Sequence, residues 1–182
     1  MLRLFVALTP PPIVRAELAA LARPLAGVRW TPPENLHLTL RFIGATPPEI
    51  VERYRTVLER VQVEPFILPV GNVGVFPTRG SAKVLWAGVG PGHTRLYQLR
   101  KQVDEALLSV QPSLDVGHFH PHFTLGRLDS STGAKSLAQF LAQHAKFEAP
   151  PFRVSSFHLL ASEPAAGQSP AYRVIQSFAL AR

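Results

Sequence analysis

The chain has 182 residues, no cysteine, one methionine and a formal charge of 19 − 12 = +7 at neutral pH. That length fits one domain or two small lobes sharing a core, and a hydrophobic fraction of 46% belongs to a folded chain rather than a disordered one. The absence of cysteine excludes disulfide scaffolds, Cys-ligated zinc, iron–sulfur clusters and thiol nucleophiles.

The positive residues divide into 15 Arg and 4 Lys, accompanied by 18 Pro, with no basic block of five or more. GC-rich coding produces such usage by itself, so a pI near 10.6 permits a phosphate-bearing partner without showing one. No apolar run approaches the roughly 18–20 residues that span a bilayer, so no membrane partner is expected. The first stretch, Met1 to Leu8, lacks a small-residue cleavage site and is cut short by Pro10-Pro11-Pro12. It reads as a strand rather than a signal peptide, and a cytoplasmic location is expected.

In chain order, Leu2–Leu8 is an apolar strand, and Val14, Leu18, Leu21 and Leu25 recur at helical spacing, interrupted by Pro24. Leu36–Ile43 alternates as a strand. Thr46-Pro47-Pro48-Glu49 has the form of a capping box, with Thr46 as cap and Glu49 reaching back. Ile50, Val51, Tyr54, Val57, Leu58 and Val61 then share a helical face. Phe66–Val75 and Ala82–Val89 read as strands around a turn from Pro77 to Gly80. Leu96, Leu99, Val103, Leu107 and Val110 form the next helix stripe. His118–Gly126 follows as a strand, Ala134–His144 as a helix, and Phe152–Ala161 and Tyr172–Leu180 as closing strands around a Pro/Gly/Gln/Ser turn.

The order βαβαβ followed by βαβαββ suggests an internal duplication. Pro10 maps to Pro91, His37 to His122, and Pro65-Phe66 to Pro151-Phe152, at offsets of 81, 85 and 86 residues. The expected fold is α+β: a single bilobal domain over 1–182, with approximate halves 1–78 and 79–182 related by a pseudo-two-fold. Two antiparallel sheets would surround a central cleft, with helices on the outer faces.

The second landmark carries the chemistry. The first half has His37-Leu38-Thr39-Leu40 and the second has His122-Phe123-Thr124-Leu125. Side chains alternate along a strand, so each motif sets an imidazole and a hydroxyl side by side, with the leucines or phenylalanine facing a core. One His-x-Thr on a strand is common. Two copies at corresponding places of a duplicated pattern suggest a shared groove. Imidazole suits acid–base catalysis near neutral pH, one ring removing a proton while the other donates one. Threonine hydroxyls can hydrogen-bond the non-bridging oxygens of a phosphate between them, the logic of metal-free phosphodiester cleavage. Arg127, five residues after His122 and just beyond the strand, can stabilise developing phosphoryl charge. Arg41 shares the parity of His37 and Thr39, which makes it a candidate contact to whatever the groove binds. Phe42 can line the cleft or, by its alternation, enter the core.

Here the chain resembles the two-histidine phosphoesterase superfamily, in its bacterial and archaeal RNA 2′,3′-cyclic phosphodiesterase branch, historically called 2′-5′ RNA ligase. The resemblance runs from Arg3 to Leu8, through Trp30-Thr31-Pro32-Pro33-Glu34-Asn35-Leu36-His37-Leu38-Thr39-Leu40-Arg41-Phe42-Ile43-Gly44 and Val84 to Val89, to Pro121 through Leu128. It implies hydrolysis of a 2′,3′-cyclic phosphate at an RNA end to a 2′-phosphomonoester, with neither metal nor cofactor. His37 would be the general acid on the departing O3′ and His122 the base on water, with Thr39, Thr124 and Arg127 holding the phosphate. The partners implied are RNA with 2′,3′-cyclic phosphate ends, tRNA fragments among them, acted on by a monomer. A weak, reversible 2′-5′ joining of RNA ends is the same chemistry run backwards. Trp30 and Asn35 fit the role of scaffold.

Three other readings stay open on the residues alone. His118, His120 and His122 alternate and would share one strand face, a set able to chelate zinc or copper, although residues two apart are nearly 7 Å apart and Pro121 interrupts the run. A second is a non-catalytic module that grips RNA ends. A third is a phosphodiesterase for another cyclic or 2′-5′ nucleotide. His93, at a helix start, His144, at a helix end, and His158, in a strand, need no functional role.

Overall fold

In a computed structural model of the chain, residues 1–90, 93–115, 117–164 and 169–181 are described. The duplication anchor Pro91 and most of the Pro/Gly/Gln/Ser turn lie outside those residues. The elements are β1 (Leu2–Leu8), α1 (Pro12–Ala20), β2 (Val28–Trp30), a 3₁₀ turn (Pro33–Asn35), β3 (Leu38–Thr46), α2 (Pro48–Leu58), β4 (Phe66–Phe76) and β5 (Val84–Val89). They continue with α3 (Thr94–Val110), β6 (His122–Leu128), α4 (Ala134–Gln143), β7 (Glu148–Val154), β8 (Ser156–Glu163) and β9 (Ala171–Ala179).

The fold is α+β. Its strands run β7-β4-β5-β6-β3-β1-β8-β9, every pairing antiparallel, with β2 on the free part of the β6 edge. Two four-strand runs are thus continuous with one another, and the seam is one residue pair, Leu38 opposite Phe123. Just past the seam β6 pairs with β2 instead, over Gly126–Leu128. The runs interleave the chain: β4, from residues 1–78, pairs with β5 and β7, while β8 pairs with β1.

One apolar cluster lies between sheet and helices. Val14 and Leu18 of α1, Tyr54 and Leu58 of α2, Leu96, Leu99, Val103 and Leu107 of α3, and Phe140 of α4 all enter it. Leu4, Val6 and Leu8 meet this cluster from β1, while Phe5 and Ala7 of the same strand bury against Leu160 and Tyr172 on the other face. A strand covered on both faces reads as a continuous apolar run, which is what Leu4 to Leu8 is.

Four local expectations are corrected. Thr46 is the last residue of β3, where its hydroxyl donates to the Gly44 carbonyl at 3.2 Å, so it does not cap α2. Pro47 takes the cap position, with no side-chain cap bond. The strand expected over His118–Gly126 begins only at His122, whose partner Gly88 is the last of the β5 ladder, and the proline before it has no N–H to give. The strand expected over Phe152–Ala161 is two strands parting at Ser155, because the chain there leaves β4 and joins β1. The three-residue β2 is too short to carry a period and had no counterpart in the sequence reading.

The fourth correction concerns Arg41, which the alternation of β3 placed beside His37. The β1–β3 register shifts between Val6 and Ala7, passing from Arg41 to Thr39 and leaving Leu40 without a partner. Such a bulge reverses the face of everything beyond it. Leu40 and Arg41 are consequently both buried, and Arg41 points to the helix side. There its Nε donates to Asp104 Oδ1 at 2.6 Å, while Arg100 Nε donates to Asp104 Oδ2 at 2.6 Å. Arg41 also donates to the Asp115 carbonyl and Arg100 to the Leu40 carbonyl at the bulge. One carboxylate is therefore the shared counter-ion of two buried guanidiniums. Asp104→Ala leaves both without a counter-ion, and a loss of about 3–5 kcal/mol is expected in urea unfolding; a loss under about 1 kcal/mol would show the triad to be dispensable.

Candidate active site

His37 immediately precedes β3 and His122 opens β6, so the Leu38–Phe123 seam lies between them in the ladder. Each imidazole is held alike. His37 Nδ1 lies 2.7 Å from the Asn35 carbonyl and His122 Nδ1 lies 2.7 Å from the His120 carbonyl, each two residues back along the chain. A carbonyl only accepts, so the proton of the neutral ring is on Nδ1, and Nε2 is left for the cleft. Asn35 is itself buried, its amide donating to the Pro170 carbonyl at 2.8 Å. The residue that reads as scaffold thus carries the carbonyl that orients a histidine.

The rings sit among aromatic neighbours. Phe5 and Tyr172 each lie 5.0 Å from His37, Tyr172 edge-on at 87°, and Phe76 lies 5.2 Å from His122 at 80°. Burial pushes both histidines below the ordinary value of 6.5, and it is the largest effect on each. The carbonyl bonds partly oppose it. The charge on His122 further disfavours protonation of His37, and that on His120, its ring 6.4 Å away, does the same to His122. The first proton on the pair therefore makes a second harder to add.

A cleft of 490 Å³, in the range of small-ligand sites, is lined by His37, Thr39 and Phe42 from β3 and by His122, Thr124 and Arg127 from β6. The structure brings six of the seven sequence-predicted site residues to one cavity; the seventh, Arg41, is on the other face. Arg127 lies within β6 rather than beyond it. It reaches the cleft through a shift between Leu85 and Trp86, which leaves Leu125 unpaired and reverses the face after Thr124. The bulge at Leu40 does the same for Phe42, so Phe42 and Arg127 occupy matching places, each five residues after its histidine. Phe42 is 70% exposed, and its ring stands 6.2 Å from Phe5.

Sequence reasoning missed Tyr172, Arg3 and Arg29, which also line the cleft. The parity of Arg3 with Phe5 was available in β1; Arg29 and Tyr172 come from strands whose pairing no local pattern reveals. His118 and His120 lie in the loop before β6, not on a shared strand face. Among the described residues, no three His, Asp or Glu side chains group in a way that could hold a metal ion. His158 is tied by both nitrogens to hydroxyls, Thr9 at 3.1 Å and Ser177 at 2.8 Å. No helix among the described residues is long and apolar enough to cross a membrane.

The lowered histidine pKa values have a definite sign. Both rings bind protons less readily folded than unfolded, so their neutral forms stabilise the fold above pH 6.5, and that contribution disappears as pH falls through the folded-state values. In an NMR titration both imidazoles should have midpoints below 6.5, and His122→Gln should raise that of His37. An unmoved His37 midpoint would show that the two rings are not coupled.

Known proteins share this chain's sequence pattern and fold. The profile of the 2′-5′ RNA ligase superfamily matches residues 9–165. A protein of Aeropyrum pernix named RNA 2′,3′-cyclic phosphodiesterase is 32% identical over 126 residues, 69% of this chain and 72% of that one. A protein of Thermus thermophilus with the same name is 33% identical over 190 residues, covering 98% of this chain and 90% of its own. The crystal structure of the Thermus thermophilus protein TT0787 superposes with a TM-score of 0.82 at 27% identity, over 98% and 97% of the two chains. The chain is an enzyme of the 2′-5′ RNA ligase superfamily.

Proposed function

We propose that the chain hydrolyses RNA 2′,3′-cyclic phosphate ends to 2′-phosphomonoesters by two-histidine acid–base catalysis, without a metal. The observation that carries this reading is the matched pair of imidazoles. Both have Nδ1 committed to a carbonyl and Nε2 free, and both line one cleft with Thr39, Thr124 and Arg127. The names of the relatives at 32% and 33% identity support the same substrate class.

In the proposed step the neutral His122 takes a proton from water through Nε2 as the water oxygen attacks phosphorus. The P–O3′ bond breaks, and His37, entering protonated, delivers its Nε2 proton to O3′. Thr39 and Thr124 donate to the non-bridging oxygens, and the Arg127 guanidinium stabilises the charge that builds on them. The phosphate stays on O2′, and the protonation states of the two rings are exchanged. With a 5′-hydroxyl in place of water, the same displacement forms a 2′-5′ linkage. The exposed ring of Phe42 offers the terminal base a surface to stack on.

A short RNA ending in a 2′,3′-cyclic phosphate, incubated with the protein in EDTA, should yield a 2′-phosphate end. A 3′-phosphate would reverse the acid and base geometry, and loss of activity on chelation would sink the metal-free mechanism. His37→Ala and His122→Ala should each lower kcat/KM by about 10²–10⁴ while RNA binding persists; turnover surviving both would overturn the two-histidine mechanism, and RNA binding by a wild type without turnover would leave a binding module. The double variant should be little worse than either single one, because the pair acts as a unit.

Only the singly protonated pair is active, so kcat/KM should trace a bell whose two limbs both lie below the ordinary histidine value of 6.5. A basic limb well above that value would contradict the assignment. Phe42→Ala should raise KM roughly tenfold with little change in kcat, since stacking on an aromatic face contributes about 1–3 kcal/mol per base.

A further inference from the structure

The cleft holds more positive charge than one cyclic phosphate needs. Arg3, Arg29 and Arg127 all line it, and no Asp or Glu is among its described lining residues. None of the three makes an ion pair or side-chain hydrogen bond among the described residues. Guanidinium stays charged at any working pH, so three fixed positive charges face a cyclic phosphodiester that carries one negative charge.

The main chain, moreover, builds part of this excess into the sheet. Arg29 of β2 lies directly opposite Arg127 of β6 in the antiparallel ladder, and both line the same cavity. Like charges in that relation are unfavourable without an anion between them. The pairing is held by backbone bonds at each end, Thr31 N–H to the Leu125 carbonyl at 2.8 Å and Asp129 N–H to the Gly27 carbonyl at 2.9 Å. A Cβ on Gly126 would stand 2.9 Å from Val28 Cγ1 and 3.1 Å from the Arg29 carbonyl, so only glycine there lets β2 approach this closely.

We propose that Arg29, with Arg3, forms a second phosphate subsite beside Arg127, which takes the phosphate on O5′ of the nucleotide whose cyclic phosphate lies between His37 and His122. This rests on the reading of the histidine pair as the cyclic phosphate site. The O5′ phosphate has two sources: the diester linking the terminal nucleotide to the rest of an RNA, or a free 5′-phosphomonoester. A chain end, with a phosphate at both positions, is then preferred over a nucleoside cyclic phosphate that has only one.

The test compares kcat/KM for cytidine 2′,3′-cyclic phosphate, its 5′-phosphorylated form and a dinucleotide ending in the same cyclic phosphate, using the wild type, Arg29→Gln and Arg29→Lys. The wild type should prefer both O5′-phosphorylated substrates at least tenfold, through KM. Arg29→Gln should reduce that ratio five- to tenfold, Arg29→Lys should restore part of it, and the salt dependence for the dinucleotide should flatten by about one unit of log–log slope in Arg29→Gln. A gain confined to the 5′-monophosphate would overturn the RNA chain as the source. Equal kcat/KM for all three substrates, with ordinary turnover, would overturn the subsite and leave the proposed reaction standing.

Binding separates the two readings if no substrate is turned over. By calorimetry, adenosine 3′,5′-bisphosphate should bind at least tenfold more tightly than adenosine 3′-monophosphate, and Arg29→Gln should erase the difference. Equal affinities overturn the subsite regardless of turnover.

Discussion

The architecture depends on one rung of one ladder. Leu38 and Phe123, both fully buried, are the only residues through which β3 and β6 pair, and through them the two four-strand runs become one sheet. His37 and Thr39 flank the first of these residues, and His122 and Thr124 flank the second. Side chains alternate, so anchoring the middle residue of each motif in the core turns its polar neighbours the other way. The hydrophobic burial that joins the two four-strand runs and the convergence of the two His-x-Thr pairs are therefore the same event. β6 then leaves β3 for β2, so the seam stays one pair long and the strands diverge around a cleft instead of closing it.

Matched bulges complete the site. The unpaired Leu40 in β3 and Leu125 in β6 each reverse the sheet face after the threonine, bringing Phe42 and Arg127 into the cleft. Corresponding positions of the two motifs thus carry unlike chemistry, an apolar ring on β3 and a guanidinium on β6. A nucleotide has the same asymmetry, with a flat base at one end and an anion at the other. On the helix side, the Arg41–Asp104–Arg100 triad grips the β3 bulge, since Arg100 donates to the Leu40 carbonyl itself. Electrostatics then divide the molecule. On the helix face Arg41 and Arg100 share the Asp104 carboxylate, whereas the charge in the cleft has no carboxylate among its described lining residues.

Much of this was legible in the chain. The repeated His-x-Thr, with apolar residues between and after, announced both the candidate site and the faces of β3 and β6, because a two-residue period needs only local sequence. The helix stripe of Leu96, Leu99, Val103 and Leu107 was as plain, all four residues being buried. What misled was the assumption that alternation continues unbroken. Arg41 sits two residues beyond Thr39 and should share its face; one unpaired leucine sends it to Asp104, 63 residues away, a partner no local pattern names. Ser155 hides a similar event, since a run of strand-forming residues does not reveal that its two halves pair with different neighbours.

The sequence by itself determined which chemical groups are on offer: no thiol, two imidazoles each followed two residues on by a threonine, and the family these residues resemble. Side-chain identity and short-range periodicity are properties of neighbouring residues, so they survive without a fold. The tertiary structure alone decided which arginines serve the cleft. Arg127 and Arg29 face one another there because a bulge, a three-residue strand and the bare Cα of Gly126 bring two distant segments together, while Arg41 was turned away by the same kind of bulge. Strand register is a long-range property, and it is register that selects from fifteen scattered arginines the few that line the cleft.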